Sequence, residues 1–252
     1  MDISKLSKEE FKVQLALGTL DKYEVAYNPN TPKKVLEYLS KDKDKNVRWY
    51  IASNPNTSKE TLEQLSKDEN YLVRRTVAWN TNTPKEILEY LSKDKSSDVI
   101  STVALNPNTP KEVLEYLSNS TNSYIRMKVG YNSNASKNIL SKLSKDRDVS
   151  VMRAVARNTK TPPSVLMFLS QQPIESVQEG VARNKSTPRE ILIKLRKVPS
   201  PFVRQCLIDN PCTPQWVKDE CTQKLKGLVH TKVKRARKRG GPFYKKSPNS
   251  LA

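Results

Sequence analysis

Histidine, cysteine and glycine are scarce in this sequence, and their scarcity excludes several kinds of site. The chain of 252 residues contains one histidine, three cysteines and six glycines. Neither of the glycine-rich motifs that bind phosphate, G-x-G-x-x-G and G-x-x-x-x-G-K-[ST], occurs. Cys206, Cys212 and Cys221 are odd in number and follow the spacing C-x5-C-x8-C, which argues against a disulfide framework and a standard zinc site. We therefore expect no metal site and no cofactor.

Long apolar runs are missing as well. No stretch of 18 apolar residues occurs, whereas a helix needs about 20 such residues to cross a bilayer. The N-terminal sequence MDISKLSKEEFKV also lacks the apolar region of a secretory signal. These absences predict an intracellular protein, cytoplasmic or, in a eukaryotic host, nuclear, that has no membrane partner.

Acidic residues are too few to balance the basic ones. The sequence has 45 Lys and Arg against 26 Asp and Glu, which gives a formal net charge of +19 at pH 7. Ten basic residues and no acidic residue lie in 222–252, and we predict a basic flexible tail over 229–252. A segment of this charge density neutralises phosphates of any nucleic acid. Its basic block contains Lys232, Lys234, Arg235, Arg237, Lys238 and Arg239.

The most prominent feature of the sequence is an internal repeat. Leucine recurs at intervals of 26 residues in two columns, which begin at Leu36 and Leu39. A fixed period of this length indicates a repeat architecture, in which each unit buries its apolar face against its neighbours. Asparagine keeps the same step eight times without an insertion or deletion, at Asn28, Asn54, Asn80, Asn106, Asn132, Asn158, Asn184 and Asn210.

Each repeat predicts two short helices, which we name the A helix and the B helix. At the start of one A helix Thr109 is the expected N-cap, Pro110 takes the first helical position and Glu112 completes a capping box. The same signal stands at 83–86 and 187–190. Each A helix then presents one apolar face that contains the two leucine columns.

The B helix follows a Ser-Lys-Asp turn and ends at the periodic asparagine. In one repeat Val47, Ile51 and Ala52 have helical spacing and form its apolar face. We expect the asparagines to adopt the left-handed conformation and to bond the backbone of neighbouring turns. The aspartates of the turn are expected to cap the B helix or the turn itself; they are Asp42, Asp68, Asp94 and Asp146.

Two helices in 26 residues leave no room for a strand, so the sequence predicts an all-α fold. We expect an α-solenoid superhelix of about eight two-helix repeats over 21–228, in which the B helix is a short α-helix or a 3-10 helix. Residues 1–20 match the period poorly and predict an N-terminal helical cap. In the last A helix the leucine positions have become Lys218 and Cys221, as expected of a terminal repeat.

The pattern A-x-N-P-x-T-P-x-x-h-L-x-x-L-S-x-D, followed by V-R-x-x-V-A, resembles the leucine-rich repeat variant family. Its first part stands at 25–32 and 103–110, and its second part begins at Val47-Arg48 and at Val73-Arg74. The likeness covers 21–225. It implies repeats that pair an α-helix with a 3-10 helix in a right-handed superhelix. Nucleic-acid binding has been suggested for the family, without a common activity.

The resemblance to two other kinds of repeat protein is weaker. One type of leucine-rich repeat variant carries an iron–sulfur cluster on an N-terminal cysteine motif, but this chain has no cysteine before Cys206, so the cluster is not expected. HEAT-like repeats include DNA glycosylases that hold DNA on a basic concave surface. Their units are about 40 residues or longer, and the step of 26 residues argues against them.

Three variable columns of the B helix predict a binding surface. The position before the periodic asparagine and the position four residues earlier share one helix face, and an adjacent column adds arginines. In a solenoid the inner helices line the concave surface, so we expect this stripe to face a groove. Its candidate contacts are Arg48, Trp49, Arg74, Arg75, Trp79, Arg126, Tyr131, Arg153, Arg157, Arg183 and Arg204.

The stripe and the tail predict a non-catalytic scaffold that binds nucleic acid, either DNA or RNA. Arginine forks bind phosphates, and aromatic rings stack on unpaired bases. In a simpler interpretation the rings pack between layers, and the arginines are solvated or pair with helix ends and loop aspartates. A further alternative is a protein–protein scaffold or a structural component of a larger assembly. No small-molecule substrate is expected.

A catalytic role has little support in the sequence. Pairs of nucleophile and base usually need histidine, and the single one, His230, lies at the edge of the tail. Glu179 and Asp209 are better explained as salt-bridge partners of nearby arginines. The remaining enzymatic alternative is a glycosylase-like protein in which Asp209 is the acid and Trp79 or Trp49 stacks on a base. We expect no enzyme.

Overall fold

The computed structural model describes the backbone of residues 7–238 and the side chains of residues 7–227. Within this range the chain forms seventeen α-helices and no β-strand, which confirms the predicted all-α repeat fold. The chain divides into two compact units, Met1–Val165 and Leu166–Ala252. The division falls inside one A helix, so each unit is a stack of repeats rather than a domain with a separate fold.

Each repeat contributes one A helix and one B helix. The A helices are α3 (Lys33–Leu39), α5 (Lys59–Leu65), α7 (Lys85–Leu91), α9 (Lys111–Leu117), α11 (Lys137–Leu143), α13 (Pro163–Ser170) and α15 (Arg189–Leu195). The B helices are α2 (Lys22–Tyr27), α4 (Lys45–Ser53), α6 (Tyr71–Trp79), α8 (Ser97–Leu105), α10 (Ser123–Tyr131), α12 (Val149–Arg157), α14 (Glu175–Arg183) and α16 (Pro201–Asp209). Helix α1 (Lys8–Ala16) precedes the repeats and α17 (Gln215–Lys238) follows them.

The B helices are α-helices, and from α4 onward they are longer than the A helices. For example, α5 has 7 residues and α6 has 9 residues. The 3-10 helix that the family resemblance implies is therefore replaced by a full α-helix in this chain. B helices of successive repeats pack directly against one another within each unit, and A helices pack on the B helices before and after them.

The predicted leucine columns form the core. Leu36, Leu62 and Leu88 are completely buried, and each such side chain contributes about 1.5 to 3 kcal/mol by leaving water. The eighth position of the B helix is alanine or glycine in the first unit and is also buried. A Cβ atom on Gly130 would lie 3.1 Å from the Cβ of Ala154. Small side chains at this position therefore allow neighbouring B helices to approach closely.

The periodic asparagines tie each repeat to the one before it. The Asn80 Nδ2 donates to the carbonyl oxygens of Ala52 at 2.8 Å and Asn54 at 3.3 Å, and its Oδ1 accepts the N–H of Asn82 at 2.9 Å. Their backbone is extended, with φ −64° and ψ 124° at Asn80, and not left-handed as predicted. This conformation leads the chain out of the B helix. The same bonds are made by Asn54, Asn106, Asn132, Asn158 and Asn210.

The threonines do not cap the A helices, contrary to the prediction. Thr83 is buried, and its Oγ1 donates to the carbonyl oxygen of Val77 at 2.6 Å, near the end of the preceding B helix. The next residue, Pro84, occupies the N-cap position of α7, which has no side-chain cap. The capping boxes predicted at 83–86, 109–112 and 187–190 are absent from these described helices because the hydroxyl is already used. The equivalent bond is made by Thr31, Thr57, Thr109, Thr161 and Thr187.

The two flanking helices differ in how they end. Helix α1 begins with a capping box between Ser7 and Glu10 and ends at Ala16; Gly18, two residues later, has a φ of 68°, a left-handed conformation that favours glycine. Helix α17 buries Cys221 at a leucine position and continues to Lys238. The predicted tail over 229–252 therefore begins inside this helix, and residues 239–252 lie outside the described part of the chain.

Candidate functional site

The predicted stripe consists of three columns that differ in exposure. The nine positions of a B helix are numbered here from its first residue, so that in α6 positions 4, 5 and 9 are Arg74, Arg75 and Trp79. In α6 position 4 is buried, whereas positions 5 and 9 are exposed. Successive side chains on an α-helix are about 100° apart. Neighbouring positions 4 and 5 therefore fall on opposite sides of the boundary between core and solvent.

The arginines at position 4 form ion pairs with the next repeat. The Arg74 Nε lies 2.6 Å from Oδ2 of Asp94, and its Nη2 lies 2.9 Å from Oδ1, which makes the pair bidentate. The remaining nitrogen, Nη1, donates to the carbonyl oxygens of Asp68 and Glu69 at 2.8 and 3.1 Å. Equivalent bidentate pairs join Arg48 with Asp68 and Arg126 with Asp146.

These contacts fix the charge of both partners. The hydrogen bond from Arg126 lowers the pKa of Asp146, and burial partly offsets this effect. At Asp94 burial raises the pKa and the hydrogen bond from Arg74 lowers it, with a net downward shift. The hydrogen bond to Asp94 in turn raises the pKa of Arg74. Asp94 and Asp146 therefore stay ionised at neutral pH, and the guanidinium groups that bond them link successive repeats.

A correlation within the chain identifies these pairs. Helix α8 has Ile100 at position 4, and the residue 20 positions later is Ser120 instead of aspartate. Where the arginine is missing, its partner is missing too. Three predicted contacts, Arg48, Arg74 and Arg126, are therefore corrected, because they link repeats and do not point to a ligand. The spacing of 20 residues between arginine and aspartate was the available signal in the sequence.

Positions 5 and 9 share the exposed side of the B helices with positions 2 and 6. We call this side of α4, α6, α8, α10 and α12 the B face. It contains a groove of about 550 Å³ lined by side chains from the first four of these helices. The stripe residues Trp49, Arg75 and Trp79 lie together in this groove. Other lining residues are Ser53, Thr76, Asp98, Ser101, Thr102, Leu105, Tyr124 and Lys128.

The indole rings of the groove face solvent. Trp79 is 64% exposed and Trp49 is 40% exposed. A ring packed between two layers of helices would be buried, like the leucines of the core. The exposure therefore contradicts, at these two positions, the interpretation in which the aromatic side chains only fill space between repeats.

Tyr124 and Lys128 line the groove but are not among the residues of the predicted stripe. They occupy positions 2 and 6 of α10, and the Lys128 Nζ lies 4.9 Å from the centroid of the Tyr124 ring, a cation–π contact. Positions 2, 5, 6 and 9 follow the spacing i, i+3, i+4 and i+7, which is one helix face. The complete face, rather than three adjacent columns, would have found both residues.

A cluster of aromatic rings lies at the N-terminal end of the B face. Tyr50, at position 6 of α4, meets three other rings edge to face. The ring centroids lie 4.8 Å away at Trp49, 6.3 Å away at Tyr23 and 6.0 Å away at Tyr27. Edge-to-face contacts of this kind hold rings in a defined orientation. Trp49 is therefore held by Tyr50 and also lines the groove.

Basic side chains extend the B face beyond the groove. Arg153 and Arg157 occupy positions 5 and 9 of α12; Arg157 is exposed and Arg153 is half-buried. The Arg153 Nε has no hydrogen-bond partner among the described residues. Tyr131, the last residue of α10, is also half-buried. From α6 to α12 the face carries four basic side chains, Arg75, Lys128, Arg153 and Arg157, and one acidic side chain, Asp98.

The second unit holds the remaining stripe residues. Arg183 is exposed at position 9 of α14, and Arg204 is half-buried at position 4 of α16. Asp209 is exposed, and its Oδ1 accepts a hydrogen bond from the Gln205 Nε2 at 2.9 Å. The described contacts of Asp209 are those of a surface carboxylate, and they give the glycosylase-like alternative no support.

The basic block and the predicted absences are described only in part. Helix α17 includes the backbone of Lys232, Lys234, Arg235, Arg237 and Lys238, whose side chains are outside the described set, and Arg239 lies outside the described residues altogether. Among the side chains that the structure describes, no three His, Cys, Asp or Glu residues gather as a metal site. None of the described helices is both long and apolar enough to cross a bilayer.

Comparison with known proteins establishes the fold. No protein-family model matches the sequence, and no match is found among curated proteins. Among solved structures the chain is similar to a leucine-rich repeat variant with a novel repetitive structural motif, at 22% identity over 88% of each chain and a TM-score of 0.53. It is also similar to an engineered protein, at 16% identity over 90% of this chain and 82% of that chain, with a TM-score of 0.39. A designed armadillo repeat protein has 16% identity over 90% of this chain and 89% of that chain, with a TM-score of 0.22. The likeness to the leucine-rich repeat variant confirms the fold that the sequence resemblance predicts.

Proposed function

We propose that this helical repeat scaffold, which has the fold of a leucine-rich repeat variant, binds nucleic acid along its B face without catalysing a reaction. The observation that carries the proposal is the groove, in which Trp49, Trp79, Arg75 and Lys128 lie together. Exposed rings beside cationic groups are the combination that proteins use for strands of nucleic acid, because rings stack on bases and cations neutralise phosphates.

The distribution of charge along the chain supports the same proposal. Residues 1–115 contain 18 basic and 18 acidic side chains, whereas residues 116–252 contain 27 basic and 8 acidic side chains. The whole net charge therefore lies in the second part of the chain. Such an excess attracts a polyanion and speeds its association. The basic face of α12 and the basic block of 232–239 belong to this part.

The proposal is tested by the salt dependence of binding. A fluorescent RNA or DNA oligonucleotide is titrated with the full chain at several salt concentrations, and the slope of log Kd against log salt counts the phosphates that are neutralised. The test variant combines Lys128→Gln, Arg153→Gln and Arg157→Gln. We expect weaker binding and a slope smaller by about 2 to 3, because each lost contact removes about 0.7 to 0.9.

The matched control removes the same charge from the A helices. Lys85, Lys111 and Lys137 are exposed first residues of α7, α9 and α11, and all three are changed to glutamine. We expect this variant to retain the slope of the unmodified protein. Equal effects of the two triple variants, or binding that does not weaken with salt, would contradict a nucleic-acid site on the B face.

A protein partner is the second candidate function, and one observation favours it. Residues 1–115 have no net charge although they carry Trp49 and Trp79 on the surface. Exposed tryptophans are common anchors of protein interfaces. Binding of a peptide or a subunit by these rings would depend little on salt, and it would persist in the triple variant of Lys128, Arg153 and Arg157.

A further inference from the structure

We infer that the B face selects single-stranded over double-stranded nucleic acid, with unpaired bases stacked on Trp49 and Trp79 and phosphates neutralised toward α12. This inference rests on the proposed function and names the class of strand that the site takes. In a duplex the faces of each base are covered by neighbouring pairs. A protein ring reaches those faces only where the strand is unpaired.

The exposure and position of the two indoles carry the first step. Trp49 and Trp79 come from successive B helices and lie in one groove. Packed helices are about 8 to 10 Å apart. At this spacing the two rings can each stack on a different base of one strand. The edge-to-face contact with Tyr50 holds the Trp49 ring in place. Both rings are therefore presented to a ligand rather than used in the core.

The polar groups between the rings match the edges of bases. The hydroxyls of Ser53, Thr76, Ser101 and Thr102 each donate to a carbonyl oxygen of their own helix, at 2.7 to 3.0 Å. Their protons are thus used. Ser53 is exposed and Thr102 is half-buried, so their oxygens can accept a hydrogen bond from a ligand, whereas Thr76 and Ser101 are buried. The N–H groups on the edges of bases, such as the N3–H of thymine, are such donors, and they are accessible in an unpaired strand. The charged side chains that line the groove are Arg75, Lys128 and Asp98.

Three of the four cations lie toward the C-terminal end of the B face, on α10 and α12. Arg75 and Lys128 line the groove, and Arg153 and Arg157 follow on the next B helix. Stacking and phosphate contacts are thereby separated along the first unit: rings on α4 and α6, and most of the basic groups on α10 and α12. Ring variants and cation variants are consequently expected to have different signatures, since only the loss of cations changes the salt slope.

Tryptophan fluorescence tests the inference. The chain has three tryptophans, so Trp216→Phe leaves a protein whose signal comes from Trp49 and Trp79 alone. An oligothymidylate and a hairpin duplex of equal phosphate number are titrated into this protein. We expect the single strand to quench the fluorescence and to bind at least tenfold more tightly than the duplex.

Alanine variants separate the rings from the fold. Trp49→Ala and Trp79→Ala are each expected to weaken single-strand binding about tenfold and to leave the salt slope unchanged. The control is Tyr90→Ala with Tyr116→Ala, since these A-helix rings are 55% and 59% exposed. Unchanged circular dichroism confirms that each variant is folded.

Two results overturn the inference in distinguishable ways. If single strand and duplex bind equally, with a steep salt dependence, and the tryptophan variants bind as before, the protein binds nucleic acid but the rings do not read bases. If neither nucleic acid binds with a salt dependence, the proposed function itself fails.

Discussion

At the scale of single residues, two adjacent arginines have opposite roles. Arg74 is buried and bonded to Asp94 and to two backbone carbonyls, so its charge is compensated between repeats. Arg75 lies in the groove of the B face. The difference follows from the helical rotation between neighbouring positions and not from the side chain. Composition alone, a count of arginines in the B helices, overestimates the number of groups that a ligand can reach.

The two arginines give a direct prediction for stability. Replacing Arg74 by alanine leaves the Asp94 carboxylate buried without its partner, and we expect the free energy of unfolding to fall by about 3 kcal/mol. Arg75→Ala is the matched control, and we expect a change within about 0.5 kcal/mol. Urea denaturation of both variants measures the difference. Equal stability of the two variants would show that the ion pair contributes nothing beyond an ordinary surface arginine.

At the scale of helices and turns, two sets of polar contacts join successive repeats: the asparagine contacts recur along the chain, and the arginine–aspartate pairs occur in three repeats. The asparagine after the B helix bonds the carbonyls of the preceding repeat. The aspartate before the B helix receives the arginine and also accepts an N–H of its own turn, as Asp94 does from Ser96 at 2.8 Å. The aspartates thus have the predicted role in the turn and a second role that the prediction did not include.

Several repeats lack the ion pair, and the one that contains Ile100 allows the pair to be introduced. Ile100 and Ser120 occupy the arginine and aspartate positions, and Ser120 already accepts the N–H of Asn122 as an aspartate would. We expect Ile100→Arg alone to destabilise the protein, because the new charge has no partner. Adding Ser120→Asp should restore stability, with a coupling energy of about 1 to 3 kcal/mol in a double-mutant cycle. Additive effects of the two changes would mean that the pair does not form.

The sequence predicts the elements well and their terminal contacts poorly. The period of 26 residues and the leucine columns identify the two-helix repeat and its core, because apolar residues at helical spacing are the ones that the repeats bury. The threonine that resembles an N-cap bonds backward instead, as Thr83 does to Val77. The short side chain of threonine can reach several backbone groups, and the packing of the surrounding helices determines which of them its hydroxyl bonds. The candidate site was predicted at Trp49, Arg75 and Trp79 but not at Tyr124 and Lys128, which required the full helix face.

At the scale of the whole molecule, aromatic and basic groups are distributed unevenly along the chain. The exposed tryptophans at positions 49 and 79 belong to the part without net charge, and the excess of basic residues begins after residue 115. A ligand that uses both parts must offer flat rings and negative charges along its length. Every nucleotide of an unpaired strand has both a flat base and a negative phosphate. We therefore favour single-stranded nucleic acid over an acidic protein as the ligand.

The central claim, that the B face holds the nucleic acid, is tested most directly by ultraviolet cross-linking of the full chain to a single-stranded oligonucleotide, followed by mapping of the linked peptides. Exposed aromatic residues lie on both the A helices and the B helices, so the A-helix residues are the internal control of the experiment. We expect cross-links at Trp49, Trp79 and Tyr124 and none at Tyr90 or Tyr116. Cross-links at the A-helix tyrosines, or only within 222–252, would contradict the central claim.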